Sequence, residues 1–378
     1  MPKYCVRLDA PAGPLHMSFL ALCFITSLIA TFAVIRSAGR HERISADHDL
    51  SGPQKFHSRP VPRIGGVAVF VAVLVGASLA TYSGREDARS IWLLVIASLP
   101  TFVFGLAEDL TKGVSPRRRL FFTALSAALA IGLLDAVIHR TTVPGIDDLM
   151  VLLPFAMALT VFAVTGVANA INIIDGFNGL AAMCVLMMML AIAYVGSQVG
   201  DEFIFTSALI CIGAVLGFFL WNFPAGLIFL GDGGAYFLGF MLAELSVLLL
   251  LRNPQVSPMF PLLLCAYPIF ETVFSMYRKK VLRGSSPGLP DGVHLHMLVY
   301  RRLMRWQAGT HERRQTTRNS MTSPYLWLLC LMSVIPAVLW WQNTAVLAGF
   351  LVLFMLSYLV LYWSIVRFRT PRWLVFRR

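Results

Sequence analysis

Asn169-Ala-Ile-Asn-Ile-Ile-Asp-Gly-Phe-Asn-Gly179 interrupts two long apolar runs, 149–169 before it and 179–196 after it. Asn169, Asn172, Asp175 and Asn178, with Thr165 just upstream, are side chains able to bind a metal, a phosphate or a sugar. Polar groups at a membrane boundary are costly unless they line water, bind a ligand or pair with one another. Gly176 and Gly179 break the helix there and let backbone come close to a ligand. The stretch reads as an active-site loop between two membrane helices.

The rest of the chain supports a membrane setting. Hydrophobic residues make up 57% of the 378 residues and charged residues 13%. A soluble domain carries about 25% charged residues, so the fold class expected is an all-α polytopic integral membrane protein. Eleven segments are long enough to span: 15–35, 65–83, 91–107, 119–138, 149–169, 179–196, 203–222, 235–251, 258–277, 325–341 and 344–366. Merging short neighbours gives ten. The apolar core of the first is too long for a cleaved leader and no small-residue cleavage site follows it, so it is expected to stay as a helix. Five of the six cysteines fall in spans without a CxxC pair, which reads as small apolar packing residues.

Of the 31 Lys and Arg residues, 25 fall in loops on one side of such a bundle and six on the other. The positive-inside rule then puts the N-terminus outside and the C-terminus in the cytoplasm, overriding Lys3 and Arg7 before the first span. The net charge of +12 is thus a topology signal with attraction to anionic headgroups, not a sign of nucleic-acid binding. One membrane domain is expected over residues 1–378, without an internal repeat, and 278–324 forms its one large basic cytoplasmic loop. Every motif with chemistry falls on the cytoplasmic face, so the active site is expected there.

Arg63-Ile-Gly-Gly66 opens the second span, where backbone N–H groups after a Gly pair suit an anion. Glu108 and Asp109 end the third. Paired acids at a membrane edge can bind a divalent cation, act as a base or share a proton, and acids at a helix C-terminus oppose its dipole. Arg119 and its basic neighbours follow, suited to phosphate and to topology alike. Asp175 and Asn172 are oxygen donors of the kind Mg²⁺ prefers. Asp232, in Gly231-Asp-Gly-Gly-Ala-Tyr-Phe-Leu-Gly239, stands at a helix N-terminus as either a cap or a metal ligand. In Asp291-Gly-Val-His-Leu-His296, the two histidines are at i, i+2, which on a helix would face opposite sides, and no third zinc ligand follows at standard spacing. Sugar or phosphate recognition fits them better. Asp147-Asp148 lies on the expected outer face and is set aside, as are His41, His48 and His57 in a polar loop. Glu244 and Glu271 fall within spans and are expected inside the bundle, with Glu271 near enough to the cytoplasmic end to support the site.

As an ordered set, Pro62-Arg-Ile-Gly-Gly66, Gly105-Leu-Ala-Glu-Asp109, Asn169 to Leu180, Gly231 to Gly239 and His294-Leu-His296 resemble the polyprenyl-phosphate N-acetylhexosamine-1-phosphate transferases. The resemblance spans roughly residues 50 to 300. It implies transfer of a sugar-1-phosphate, GlcNAc-1-phosphate or a related N-acetylhexosamine-1-phosphate, from a UDP-sugar to undecaprenyl phosphate with release of UMP. It also implies a multi-pass place in the bacterial inner membrane and Mg²⁺, with Mn²⁺ as a substitute. Asp232 and Asn172 would hold the metal. Asp109, Glu108 and Asp175 would be the catalytic acids. Asn169, Asn172, Asn178, Arg119, Asp291, His294 and His296 would bind substrate. The partners implied are the UDP-N-acetylhexosamine, undecaprenyl phosphate and the bilayer, with no nucleic acid and with room for a homodimer.

Three departures matter. The family's usual Asp-Asp pair is Glu108-Asp109 here, which leaves the role of Glu108 open; the histidine run is shorter than in the peptidoglycan MurNAc-pentapeptide transferases, and the other signatures of that branch are missing. The reading therefore favours initiation of a lipid-linked surface polysaccharide such as O-antigen over peptidoglycan synthesis. A transporter or lipid-linked-sugar flippase, the rival of a different class, would carry polar residues at mid-membrane on broken helices in paired repeats.

Overall fold

A computed structural model of the chain describes residues 14–37, 61–282, 284, 293–305, 311–369 and 376–377. In lipid every backbone N–H and C=O must find a partner within its own segment, so long apolar runs become helices. They are α1 (Pro14–Arg36), α2 (Gly65–Tyr82), α3 (Ala88–Thr111), α4 (Pro116–Leu134), the short α5 (Ile146–Met150) and α6 (Leu153–Ile174). There follow α7 (Leu180–Val199), α8 (Glu202–Asn222), α9 (Gly231–Arg252), α10 (Met259–Leu264), α11 (Ala266–Tyr277), α12 (Leu295–Leu298), α13 (His311–Leu339) and α14 (Thr344–Val366). Among the described residues, nine of these are long and apolar enough to cross a membrane. The all-α polytopic fold class is as expected, apart from one parallel pairing of Met304–Arg305 with Phe376–Arg377.

Three expected segments come out differently. The fourth span is one helix whose first turn holds Arg117, Arg118 and Arg119, with Ser115 as its N-cap accepting from the Arg118 N–H. The 258–277 span is broken at Cys265 into α10 and α11. Pro268 accounts for the break, because it has no N–H for the Leu264 carbonyl and its ring clashes with that turn. Helix α13 begins at His311, so the end of the expected 278–324 loop is helical. Polar residues extend that helix below its apolar part.

Helix α9 runs through the centre, packed against α3, α6, α2 and α7. Close approach there rests on small residues, as is usual where lipid leaves no hydrophobic drive between helices. A Cβ on Gly105 would lie 2.7 Å from the Gly233 Cα, and one on Gly66 would strike the Gly234 backbone. The two acids expected inside the bundle are both fully buried. Glu271 is held by three hydrogen bonds, whereas neither oxygen of Glu244 has a hydrogen-bond partner among the described residues.

Charged groups gather at the two ends of the bundle. At one, His16 Nε2 lies 2.8 Å from Glu202, Arg85 reaches Glu202 and Asp87, and Arg252 donates to Asp201 at 2.6 Å. At the other, the C-terminal ends of α3 and α6 meet the N-terminal ends of α2, α4 and α9. The start of α1 is thus at the end away from the candidate site. Asp147 serves a turn: its carboxylate accepts from the Thr141 N–H and hydroxyl and the Thr142 N–H. Those bonds hold it below the usual carboxylate range, which is reason enough for an acid at that position.

Candidate active site

The site is built on the turn before α9. Gly231 has φ +76°, and a Cβ there would collide with the Arg63 carbonyl and lie 2.6 Å from Asp109 Oδ2. Only glycine fits. The helix that follows starts with unpaired N–H groups, and Asp109 takes two of them. Its Oδ1 accepts from the Asp232 N–H and its Oδ2 from the Gly233 N–H, both at 2.8 Å. Asp109 is only 2% exposed. The cap of α9 is therefore supplied from α3, and the Asp232 side chain makes no capping bond.

Asp232 instead meets three partners. Arg119, from the first turn of α4, donates Nη1 to Oδ2. Asn172, in the last turn of α6, donates Nδ2 to Oδ1 at 3.0 Å. Arg63 places Nη2 3.5 Å from the same oxygen and 4.0 Å from Asp109. These groups border a cavity of about 380 Å³, within the usual range of about 300–1,000 Å³ for small-molecule sites. Glu108, Asp175 and Asp232 bring carboxyls to it, Arg63 and Arg119 bring guanidiniums, and Asn172, His294 and His296 add to its polar lining.

The paired acids of α3 separate. Asp109 turns inward to α9, while Glu108 faces the cavity and accepts from the Val114 N–H at 2.6 Å. Consecutive helix positions point about 100° apart, so the pair does not act as one ligand. Asp175 follows the last turn of α6, and burial pushes its carboxyl up to about 7 against the pull of Arg63. The histidines correct the i, i+2 expectation. His294 precedes α12 in extended backbone, so its ring stacks on that of His296 with centroids 5.2 Å apart. Both reach the cavity.

Two other expected residues lie outside it. Asn169 accepts from the Tyr236 hydroxyl at 3.0 Å, a tie between α6 and α9. Asn178 is buried, donating to Ser320 and, through its N–H, to Asn319, while its carbonyl accepts from Ser323. Their amides join helices instead of facing ligand. Asp291 lies outside the described residues. The structure adds lining residues that no motif marked: Asn222, which accepts from the Gly179 N–H at 2.6 Å and donates to the Ile228 carbonyl, and Asn319. Asn222 offered one signal, an amide closing the 203–222 apolar run, whereas Asn319 stands among other polar residues before 325–341. Arg63, read from its Gly pair as a backbone anion site, contributes its side chain.

No cluster of three His, Cys, Asp or Glu side chains poised for a metal occurs among the described residues. The donor set nonetheless suits a hard cation shared with a phosphate. Mg²⁺ is usually bound by one or two carboxylates and substrate oxygens, not by an all-protein cage. Asp232 and the carbonyl side of Asn172, whose amino group is turned to Asp232, are such donors, with Asp175 in the same lining.

A helical membrane bundle with acids, guanidiniums and imidazoles around one cavity at its end is built to handle an anionic, phosphorylated ligand next to lipid. Comparison with known proteins narrows the class: residues 91–250 match glycosyl transferase family 4. The chain is 29% identical, over 74% of its length and 77% of the other, to a probable undecaprenyl-phosphate N-acetylglucosaminyl 1-phosphate transferase of Bacillus subtilis. An undecaprenyl-phosphate alpha-N-acetylglucosaminyl 1-phosphate transferase of Thermotoga maritima is 28% identical over 75% of this chain and 80% of its own. A phospho-N-acetylmuramoyl-pentapeptide-transferase of Chlamydia muridarum is 28% identical over 66% and 77%.

Proposed function

We propose that this protein transfers GlcNAc-1-phosphate from UDP-GlcNAc to undecaprenyl phosphate, releasing UMP, as the first step of a lipid-linked surface polysaccharide. The observation that carries the reading is the Asp232 carboxylate, set among Asn172, Arg63 and Arg119 at one end of the bundle. The family and the names of the relatives above support a polyprenyl-phosphate sugar-1-phosphate transferase. The shorter histidine motif favours the N-acetylglucosaminyl branch over the MurNAc-pentapeptide branch. The charge distribution favours a plasma-membrane protein with this cavity on the cytoplasmic side.

In this reading an oxygen of the lipid phosphate attacks the β-phosphorus of the donor. The bond from that phosphorus to the bridging oxygen breaks, and the oxygen leaves with UMP. The attacking phosphate is already largely ionised near neutral pH, so alignment and charge neutralisation matter more than a strong base. Arg63 and Arg119 engage the phosphates, and a guanidinium suits them through paired N–H groups. Asp232 and Asn172 would hold a Mg²⁺, which would supply further charge neutralisation when bound. Asp109 acts as a positioning residue through the first turn of α9. Glu108 and Asp175 carry charge at the cavity wall, and His294 and His296 contact the sugar nucleotide.

The experiment is UMP release by the purified full-length protein in detergent with undecaprenyl phosphate, Mg²⁺ and UDP-GlcNAc. Release that requires lipid, metal and this donor is expected. Release only with UDP-MurNAc-pentapeptide would assign the other branch, and none with either from folded protein would reject the reading.

A further inference from the structure

We propose that Glu271 and Tyr358 are positioning residues for His294, fixing which imidazole nitrogen faces the cavity, and that α14 thereby takes part in the active site. The proposal rests on the function given above, and one arm of its test does not.

Glu271, on α11, is fully buried, and no motif surrounds it. Its Oε1 accepts from the Leu295 N–H at 3.1 Å and lies 2.9 Å from His294 Nδ1. Its Oε2 accepts from the Tyr358 hydroxyl at 2.7 Å. A carboxylate only accepts, so the contact with His294 is attractive only if Nδ1 carries the proton. That leaves Nε2 as the nitrogen for the cavity that His294 lines. Which ring nitrogen is free is set by the bond the other makes. The shared acceptor Oε1 also ties down the backbone just after His294, so ring and chain are held by one atom.

Tyr358 is the contribution of α14, and it too is fully buried. One turn on, Tyr362 donates to the Val293 carbonyl at 3.3 Å and accepts from Arg278 at 2.7 Å. Arg302 then donates to the Ile365 and Val366 carbonyls at 2.7 and 2.6 Å. The last helix thus grips residues 293–302 on either side of the histidines. The other charged or titratable groups facing this cluster are His296, Tyr267 and Arg278.

The test compares full-length wild type with Tyr358→Phe, Glu271→Gln and Glu271→Asp in detergent. UMP release is measured across pH, with kcat and KM separated and unfolding midpoints recorded. Expected for Tyr358→Phe is a loss of about tenfold in kcat with KM for UDP-GlcNAc little changed and the pH profile displaced. Glu271→Gln should lose more, and Glu271→Asp should recover part of the loss. Variants that fold like wild type and keep its kcat and pH profile overturn the proposal. The ¹⁵N spectrum of histidine-labelled protein reads the tautomer without turnover, with His294→Gln identifying the signal. Nδ1–H at His294 in wild type, lost in Glu271→Gln, supports the proposal even if no UMP is released; Nε2–H in wild type overturns it.

Discussion

Helices α9 and α14 are alike in length, at 22 and 23 residues, and both are strongly apolar. Yet 94% of the spanning window of α9 is buried, against 17% for α14. Lipid is as apolar as leucine, so hydropathy does not sort helices between the centre and the rim; small and polar residues do. Helix α9 has Gly233, Gly234 and Gly239 at close crossings and Asp232 in the site. Helix α14 buries one stripe, Leu347, Phe354, Tyr358, Tyr362 and Ile365, at helical spacing and turns the rest outward.

The contrast is broken or sharpened most strongly at Asp232. Asp232→Asn should lower UMP release by at least about 10²-fold while the protein still inserts; near-normal turnover would take the chemistry off α9. Next is Gly105→Ala, which forces a methyl to within 2.7 Å of the Gly233 Cα. Overpacking of this kind costs about 1–3 kcal/mol, read as a lower unfolding midpoint in detergent, and an unchanged midpoint would show that α3 and α9 part easily.

Asp175 gives a smaller, pH-dependent effect. Its carboxyl titrates near about 7 in the fold and near about 3.9 unfolded. The folded state therefore holds a proton that the unfolded state has lost, and stability falls as pH rises from about 4 to about 7. Asp175→Asn should match wild type in unfolding midpoint near pH 4 and exceed it above pH 7, and parallel curves would contradict that burial. The smallest effects belong to α14. Leu353 is exposed and Gly349 has open space around it, so Leu353→Ala should stay within about 0.5 kcal/mol. Gly349→Ala should stabilise by up to about 1 kcal/mol. A marked loss at either would reveal a second surface covering the rim.

Much of the architecture was legible because helical spans need only length and apolar content to be seen. Asp232, Asn172 and Asp175 were legible as polar residues at the edges of apolar runs, Arg119 and the two histidines as polar groups in basic stretches, and they do meet at one cavity. The roles of neighbours were not. Asn169 and Asn178 have the same chemistry as Asn172, but they fall at other angles around the turn and join helices instead. The break at Cys265 depended on Pro268, whose effect is local, whereas the tie from Glu271 to Tyr358 joins residues 87 positions apart. No periodicity carries that pairing, because it arises only when two helices are set side by side.

Asp109 has a consequence of its own. An open helix start is a ready cradle for an incoming anion, but here the chain has already filled it with one of its own carboxylates. The donor's charge must then be met by the side chains of Arg63 and Arg119, not by main-chain dipoles. Affinity for the nucleotide should consequently weaken with ionic strength, and lysine at either position should be a poor substitute for arginine.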